Sequence, residues 1–401
     1  MADPVTILVA ARDEANRIAE TVAALKEQFP EAEVIVADDG SRDGTADAAE
    51  AAGAVVLRLR RRGKGQALSE AERAAPPGAV LLCDADLLGD LRPLDLEGEG
   101  IAVALFTERQ GGGFGIAKAA ARALIMLRAG FDAEEPLSGQ RLVTARARAA
   151  VFPLAPGFGA ETRMTIDAVK AGLDVVEVPL PLRHRPTGRD PAGFLHRGRQ
   201  LLDALLAAGP LALNHRGLRL PLVGWLVGVR HPSVAVVAAA GLADDVWSGP
   251  ERGFRAHLGS GRTTGVLKLV AIPLAGLAAT RSLSGSLLVG LSANALNQLD
   301  TRPGRALKGY LLAAAALRSP KGIAVLLLPY DLREMAMLGD GGSNALGALL
   351  GLNSVSRLTG RGRWLAIAAL AGLTLLGERR SLGELIERTP VLRDVDAWGR
   401  P

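Results

Sequence analysis

The chain has 401 residues, 49% hydrophobic and 22% charged, a balance that excludes a disordered chain and leaves room for two or three domains. Its formal net charge of +5 favours anionic partners, whether nucleotides, phospholipids or nucleic acid, without choosing among them. A single cysteine, Cys83, excludes an intrachain disulfide and any cysteine-cluster metal site, and it reads as a buried strand residue.

The first apolar run, residues 7–11, is too short for a secretory leader and is closed by Arg12-Asp13-Glu14, so the first half is expected in the cytosol. Residues 6–11 read as a buried strand, and 15–28 as a helix with Ile18, Val22 and Leu25 on one face. A second strand at 34–37 enters the turn Asp38-Asp39-Gly40-Ser41, and Ser41-Arg42-Asp43-Gly44-Thr45 opens a helix that runs to 52. A third strand follows at 55–59, a helix at 65–75 and a fourth strand at 80–83. Farther on, 163–171 reads as helix and 175–178 as strand. Strand and helix alternating through short connections imply parallel strands with right-handed crossovers. Ligands of such sheets bind beyond the carboxyl ends of the strands. Four polar clusters fall there: Arg12-Asp13-Glu14, Asp38-Asp39, residues 60–64 and Asp84-Ala85-Asp86.

After about residue 218 the texture changes. Uncharged runs at 232–243, 269–280, 282–299, 341–356 and 364–377 are separated by short charged or Gly-rich loops. A membrane span needs about 20 apolar residues, and runs of about 10–14 are more often core or re-entrant helices. Hydropathy alone therefore fits a soluble helical core and a membrane bundle about equally. The linker is placed in the basic segment 213–220.

Transfer of a sugar from a nucleoside diphosphate releases a diphosphate with new negative charge, which a divalent cation can offset as Lewis acid and template. Asp84-Ala85-Asp86, just past a buried strand, offers two carboxylates whose hard oxygens suit Mg²⁺ or Mn²⁺. An Asp-x-Asp triplet alone also fits a solvated turn; its place on the ligand edge favours the metal.

The run 6–14 ending in Arg12-Asp13-Glu14, then 36–45 with Asp38 and Asp39, then Gly63-Lys64-Gly65, then Asp84-Ala85-Asp86, resembles the ordered motifs of family 2 glycosyltransferases with the GT-A fold, over about residues 4–205. The resemblance implies that Arg12, Glu14, Asp38 and Asp39 hold the base and ribose of the donor. It places Lys64 near the nucleotide, and Asp84 and Asp86 at the metal and ribose, with Asp86 the direct ligand. Carboxylates accept from base N–H and ribose hydroxyl groups, and a lysine pairs with phosphate as a point charge. Lys64 also fits an exposed loop lysine.

Farther along, the Gly-rich stretch at 111–115, Pro136-Leu137-Ser138-Gly139-Gln140-Arg141, the segment 156–162 with Glu161, and Leu182-Arg183-His184-Arg185-Pro186 look like the glucosyl-3-phosphoglycerate synthase group and its polyprenyl-phosphate-using relatives. By that resemblance Glu161 is a sugar contact or catalytic base, His184 a third metal ligand, and Gly139 and Arg141 acceptor-side candidates. Neutral imidazole suits Mn²⁺. Glu161 equally fits a first-turn helix residue favoured by the dipole, and His184 an exposed loop histidine.

In the second half Gly241-Leu242-Ala243-Asp244-Asp245, the segment 294–300 with Asn297 and Asp300, and the segment 337–343 with Asp340 resemble three motifs of the polyprenyl-phosphate phosphosugar transferases, the membrane family of the muramoyl-pentapeptide transferase. These residues would then bind Mg²⁺ and diphosphate at the membrane surface. The chain departs from that pattern: Val246-Trp247-Ser248 stand where the family has a lysine, Pro303 replaces a second aspartate, and no histidine follows His257.

The expected architecture is thus an α/β GT-A domain with a Rossmann-like, mostly parallel sheet over residues 1–210, joined to an all-α, membrane-associated domain over 218–385. The expected activity moves a sugar from a UDP- or GDP-sugar to a phosphorylated or polyprenyl-phosphate acceptor, with Mn²⁺ or Mg²⁺ as cofactor. A membrane lipid and no nucleic acid are expected as partners, at the cytoplasmic membrane with the transferase domain facing the cytosol. Two rival readings are a phosphosugar transferase carried by the second half and a non-catalytic binding scaffold.

Overall fold

A computed structural model describes residues 5–87, 89–107, 115–182, 191–247, 264–379 and 381–400. The chain divides into two compact units, Met1–Gly209 with Gly217–Arg219, and Pro210–Arg216 with Leu220–Pro401.

The first unit is a seven-stranded sheet with helices on both faces. Its strands are β1 Thr6–Ala11, β2 Val34–Asp38, β3 Val55–Arg58, β4 Val80–Asp84, β5 Gly100–Phe106, β6 Arg141–Val143 and β7 Asp174–Leu180. Its helices are α1 Ile18–Gln28, α2 Thr45–Ala51, α3 Lys64–Ala74, α4 Ile116–Ala129, α5 Ala145–Val151, α6 Ala160–Lys170 and α7 Pro191–Ala208. The strand order is β3-β2-β1-β4-β6-β5-β7. β1 lies parallel to β2 and β4, and β5 parallel to β7. β6 alone runs antiparallel, between β4 and β5. Strands covered on both faces carry continuous apolar runs. Here Ile7, Val9, Val36 and Leu81 pack to one side with α1, and Leu8, Ile35 and Leu82 to the other with α3 and α6. Cys83 is buried in β4.

The expected strands at 6–11, 34–37, 55–59, 80–83 and 175–178 are present. β5, β6, α4, α5 and α7 are additions that the sequence pattern did not announce. With β6 as its one antiparallel strand, the sheet is mostly parallel, as expected.

The second unit is helical apart from two short strands, β8 Leu211–Leu213 and β9 Arg219–Pro221, where the chain passes between units. After a 3₁₀ turn at Gly224–Arg230 come α8 Pro232–Trp247, α9 Thr264–Thr280, α10 Leu283–Leu299, α11 Arg305–Ala316, α12 Gly322–Leu332, α13 Gly339–Arg357, α14 Gly360–Arg379, α15 Leu382–Arg388 and α16 Pro390–Ala397. α13 is the central helix. A Cβ on Gly347 would lie 2.3 Å from the Ser292 carbonyl, and one on Gly351 2.6 Å from Val289 Cα, so α13 meets α10 backbone to backbone. The unit continues past the expected limit of 385: Arg305 Nη2 of α11 reaches Asp396 of α16 at 2.8 Å, and Lys308 donates to the Asp396 carbonyl at 2.6 Å. Among the described residues no helix is long and apolar enough to cross a membrane. The membrane bundle implied by the second resemblance therefore has no crossing helix here.

Candidate active site

The site of the first unit is built at the carboxyl end of the sheet. In the register of the central strand, Ala11 faces Asp38 of β2 and Ala10 faces Asp84 of β4. With strands about 4.8 Å apart, the two acids flank β1 at one level.

The loops here are stitched together by their own polar side chains. Asp13, in the left-handed region at φ +54°, accepts the Arg42 N–H at 3.0 Å, and its own N–H donates to Ser41 Oγ at 2.9 Å. The Glu14 N–H donates to Thr45 Oγ1 at 2.8 Å. Asp38 accepts from the Ser41 N–H at 3.1 Å and from the Ser41 hydroxyl. Asp39 accepts from the N–H groups of Arg62 at 2.6 Å and Gly63 at 2.9 Å, which anchors the loop before α3. Burial raises the Asp39 pKa, partly offset by those donors. Burial also raises that of Glu14; Arg17, paired with it at 3.0 Å, opposes this, and Asp86 adds to it. Arg12 is exposed and lies 3.6 Å from Asp13.

Lys64 opens α3 and is the electrostatic hub. Its Nζ lies 2.5 Å from Asp84 Oδ1 and 2.7 Å from Glu161 Oε1. Burial alone would depress the ammonium pKa; the two carboxylates outweigh it and raise the value. The helix expected at 163–171 starts earlier, at Ala160, and so takes in Glu161, which is 5% exposed. Close packing brings it to Lys64: a Cβ on Gly65 would sit 1.8 Å from the Ala155 carbonyl oxygen, so only glycine lets α3 press against that segment. The turn before α6 is held by Asp203 of α7, which accepts the Phe158 N–H at 3.0 Å.

The antiparallel β6 supplies the other wall. Its register sets Arg141 opposite Leu82, so the residues preceding it run back along the end of β4. Gln140 Nε2 donates to Asp84 Oδ2 at 3.2 Å. Gly139 lies against the same carboxylate, where a Cβ would fall 2.4 Å from Oδ2. Gly139 thus borders Asp84. Arg141 has no exposed surface, and its guanidinium donates to the Ser138 and Pro136 carbonyls and to Thr165 Oγ1. Asp86 is half-buried on the turn after β4, which Thr21 pins by donating to the Ala85 carbonyl at 2.7 Å.

Among the described residues no three ligand-type side chains are gathered for a metal, and His184 lies outside them. Mg²⁺ is commonly held by one or two carboxylates together with substrate phosphates and water. Asp84 and Asp86, both hard oxygen donors with some solvent access, fit that mode.

The acidic residues of the second unit also converge. Lys268 of α9 pairs with Asp244 at 2.5 Å and with Asp340. Asp245 accepts the N–H groups of Asp340 and Gly341, each at 2.9 Å, at the start of α13. Ser343 donates to Asn297 at 2.9 Å. Asp300 accepts from the Gly339 N–H, and its pKa is raised by burial, then by Asp331, Asp340 and Asp245. Asp244 and Asp340 thus share Lys268, which lies on the helix after that of Asp244. A lone lysine in an apolar run was the available signal, since such a residue is almost never buried unpaired. Gln140, Asp203 and Asp331 had no comparable signal.

The family described as "Glycosyl transferase family 2" matches residues 6–89, from β1 through the Asp84–Asp86 turn. Glycosyltransferase AglJ of Haloferax volcanii is 30% identical over 269 residues, which are 60% of this chain and 88% of that protein. Among solved structures, the chain is similar to glucosyl-3-phosphoglycerate synthase of Mycobacterium tuberculosis. Its complex with Mn²⁺, UDP and glucosyl-3-phosphoglycerate matches at 26% identity and a TM-score of 0.43, over 51% of this chain and 79% of that one. Its complex with Mg²⁺ and UDP matches at 25% identity and a TM-score of 0.42, over the same shares.

Proposed function

This chain belongs to the family 2 glycosyltransferases, and on that basis we propose that its first unit moves a sugar from a UDP- or GDP-sugar to a phosphorylated or polyprenyl-phosphate acceptor, in cell-envelope or glycolipid synthesis. The observation that carries the reading is the Lys64 ammonium set between Asp84 and Glu161 at the carboxyl edge of the sheet. Glu14 and Asp38 lie at the ends of the neighbouring loops, where a base and ribose can be held. Asp84 and Asp86 would hold Mn²⁺ or Mg²⁺, whose chemistry is to offset charge on the leaving diphosphate. Lys64 adds a point charge on the same side. Glu161, oriented by Lys64, offers a carboxylate oxygen to a sugar hydroxyl. These paired and positioned groups disfavour the scaffold reading. The test is a panel of UDP- and GDP-sugars with Mn²⁺, phosphorylated acceptors and mass-spectrometric detection. A transferred hexose from at least one donor is expected; no transfer and no donor hydrolysis across the panel would overturn the reading.

A second reading concerns location: the second unit rests on the cytoplasmic face of an anionic bilayer, with the transferase unit in the cytosol. Leu267, Val270, Leu274 and Leu277 recur at helical spacing on the outer side of α9 and are 43–58% exposed, while Ile272 and Ala275 turn inward. A helix apolar on both sides lacks a water-facing stripe. Arg281 follows α9, and Arg361 and Arg379 stand near the two ends of α14, as headgroup contact requires. The full chain should co-sediment with phosphatidylglycerol vesicles and lose this when the four α9 residues become glutamine. Equal sedimentation of both proteins would refute the docking face.

A further inference from the structure

Among the described residues, the largest side chain without exposed surface is that of Arg141. A guanidinium taken out of water is expensive unless its donors are met. Here they go to neutral oxygens on two different segments. Nε donates to the Ser138 carbonyl at 2.8 Å and Nη2 to the Pro136 carbonyl at 3.2 Å, while Nη1 donates to Thr165 Oγ1 at 2.9 Å. The Thr165 hydroxyl donates onward to the Glu161 carbonyl at 3.2 Å. One end of this fork therefore fixes the loop that sets Gly139 against Asp84, and the other grips the first turn of α6, which carries Glu161. These are the two carboxylates that Lys64 joins. A planar five-donor group can hold such an arrangement where a lysine cannot. Burial lowers the Arg141 pKa to about 10, opposed by Glu161, Glu177 and Asp84, so the group stays charged near neutrality.

We propose that Arg141 is a positioning residue for sugar transfer, which ties the 136–139 loop to α6 and so sets the separation of Asp84 and Glu161 across Lys64. The inference rests on the glycosyltransferase reading of this site. It predicts that loosening the fork harms turnover while leaving nucleotide affinity nearly intact, because Glu14 and Asp38 belong to the β1 and β2 loops.

The experiment compares the full-length wild type with Arg141→Lys and Thr165→Val. It measures kcat and KM for the donor identified in the panel, together with Kd for the matching nucleoside diphosphate and Mn²⁺. Arg141→Lys keeps the charge and loses the fork; Thr165→Val cuts only the link to α6. Expected are a kcat loss of about 100-fold for Arg141→Lys and about 10-fold for Thr165→Val, with Kd and KM changed less than threefold. Thr165→Val is nearly isosteric, so it keeps the test decisive if Arg141→Lys does not fold. Wild-type kcat in Thr165→Val, or kcat and Kd weakening in proportion, overturns the inference alone. A wild type with no turnover on any donor overturns the glycosyltransferase site reading and this inference with it.

Discussion

Gly139→Ala is the sharpest single-atom perturbation of the site. The added Cβ would lie 2.4 Å from Asp84 Oδ2, 2.5 Å from Oδ1 and 2.7 Å from Cγ. Ordinary contact needs about 3.4 Å or more, so the carboxylate or the loop must shift by roughly 1 Å. Asp84 cannot yield freely, since Lys64 holds it at 2.5 Å and Gln140 at 3.2 Å. The φ of Gly139 is not in the left-handed region, so alanine brings no backbone strain of that kind. Overpacking of this sort costs about 1–3 kcal/mol, or roughly 2–12 °C in the melting of a unit this size. A displacement of about 1 Å at a reacting centre can lower turnover about 100-fold. The full-length variant should therefore fold, melt lower by calorimetry and turn over donor about 100-fold more slowly. Wild-type melting together with wild-type turnover would refute the placement of Gly139 against Asp84.

Three further outcomes follow from the electrostatics. Lys64→Met leaves Asp84 and Glu161 facing each other without this ammonium; loss of one partner of a buried pair costs about 3–5 kcal/mol, so calorimetry should show the first unit melting lower and turnover should vanish. Lys268→Met should lower the melting of the second unit by a similar free energy while the first unit keeps its transition; an unchanged second transition would contradict the pairing with Asp244 and Asp340. Burial, reinforced by Asp340, pushes Asp245 up to about 7, and burial pushes Asp331 up to about 6. Both folded values exceed the unfolded value of about 4, so the folded state binds more protons between them. Stability from these groups is full below about pH 4 and is lost as pH rises through about 6 and 7. The second unit should melt higher at pH 5 than at pH 8, and Asp245→Asn should flatten that slope; the opposite slope would contradict it.

Much of the first unit was legible because β1, β2 and β4 are short apolar runs, each ending in a charged cluster. That pattern names both the buried strand and the edge where its polar clusters emerge. β6 was not legible: it is three residues long and begins with an arginine, a residue type that ordinarily marks the surface. Its burial depends on Thr165 and on the carbonyls of Pro136 and Ser138, partners that no local pattern announces. The contact of Lys64 with Glu161 likewise depends on α3 pressing against the Ala155 backbone through Gly65. In the second half, the apolar runs at 232–243, 282–299 and 341–356 foretold α8, α10 and α13. α11 and α12 were hidden by Arg305, Lys308 and Asp331, charges that the structure buries against partners.

The central claim is that Asp84 and Asp86 make a metal-dependent nucleotide-sugar site beside Lys64. Calorimetric titration of UDP and GDP into the full-length protein, with Mn²⁺ and then with EDTA, tests it most directly, using wild type and Asp86→Ala. The expected result is binding of one nucleotide by the wild type in Mn²⁺, weakened at least tenfold by EDTA and, with the fold retained, by Asp86→Ala. Equal affinity under all three conditions, or no binding of either nucleotide, would contradict the assignment.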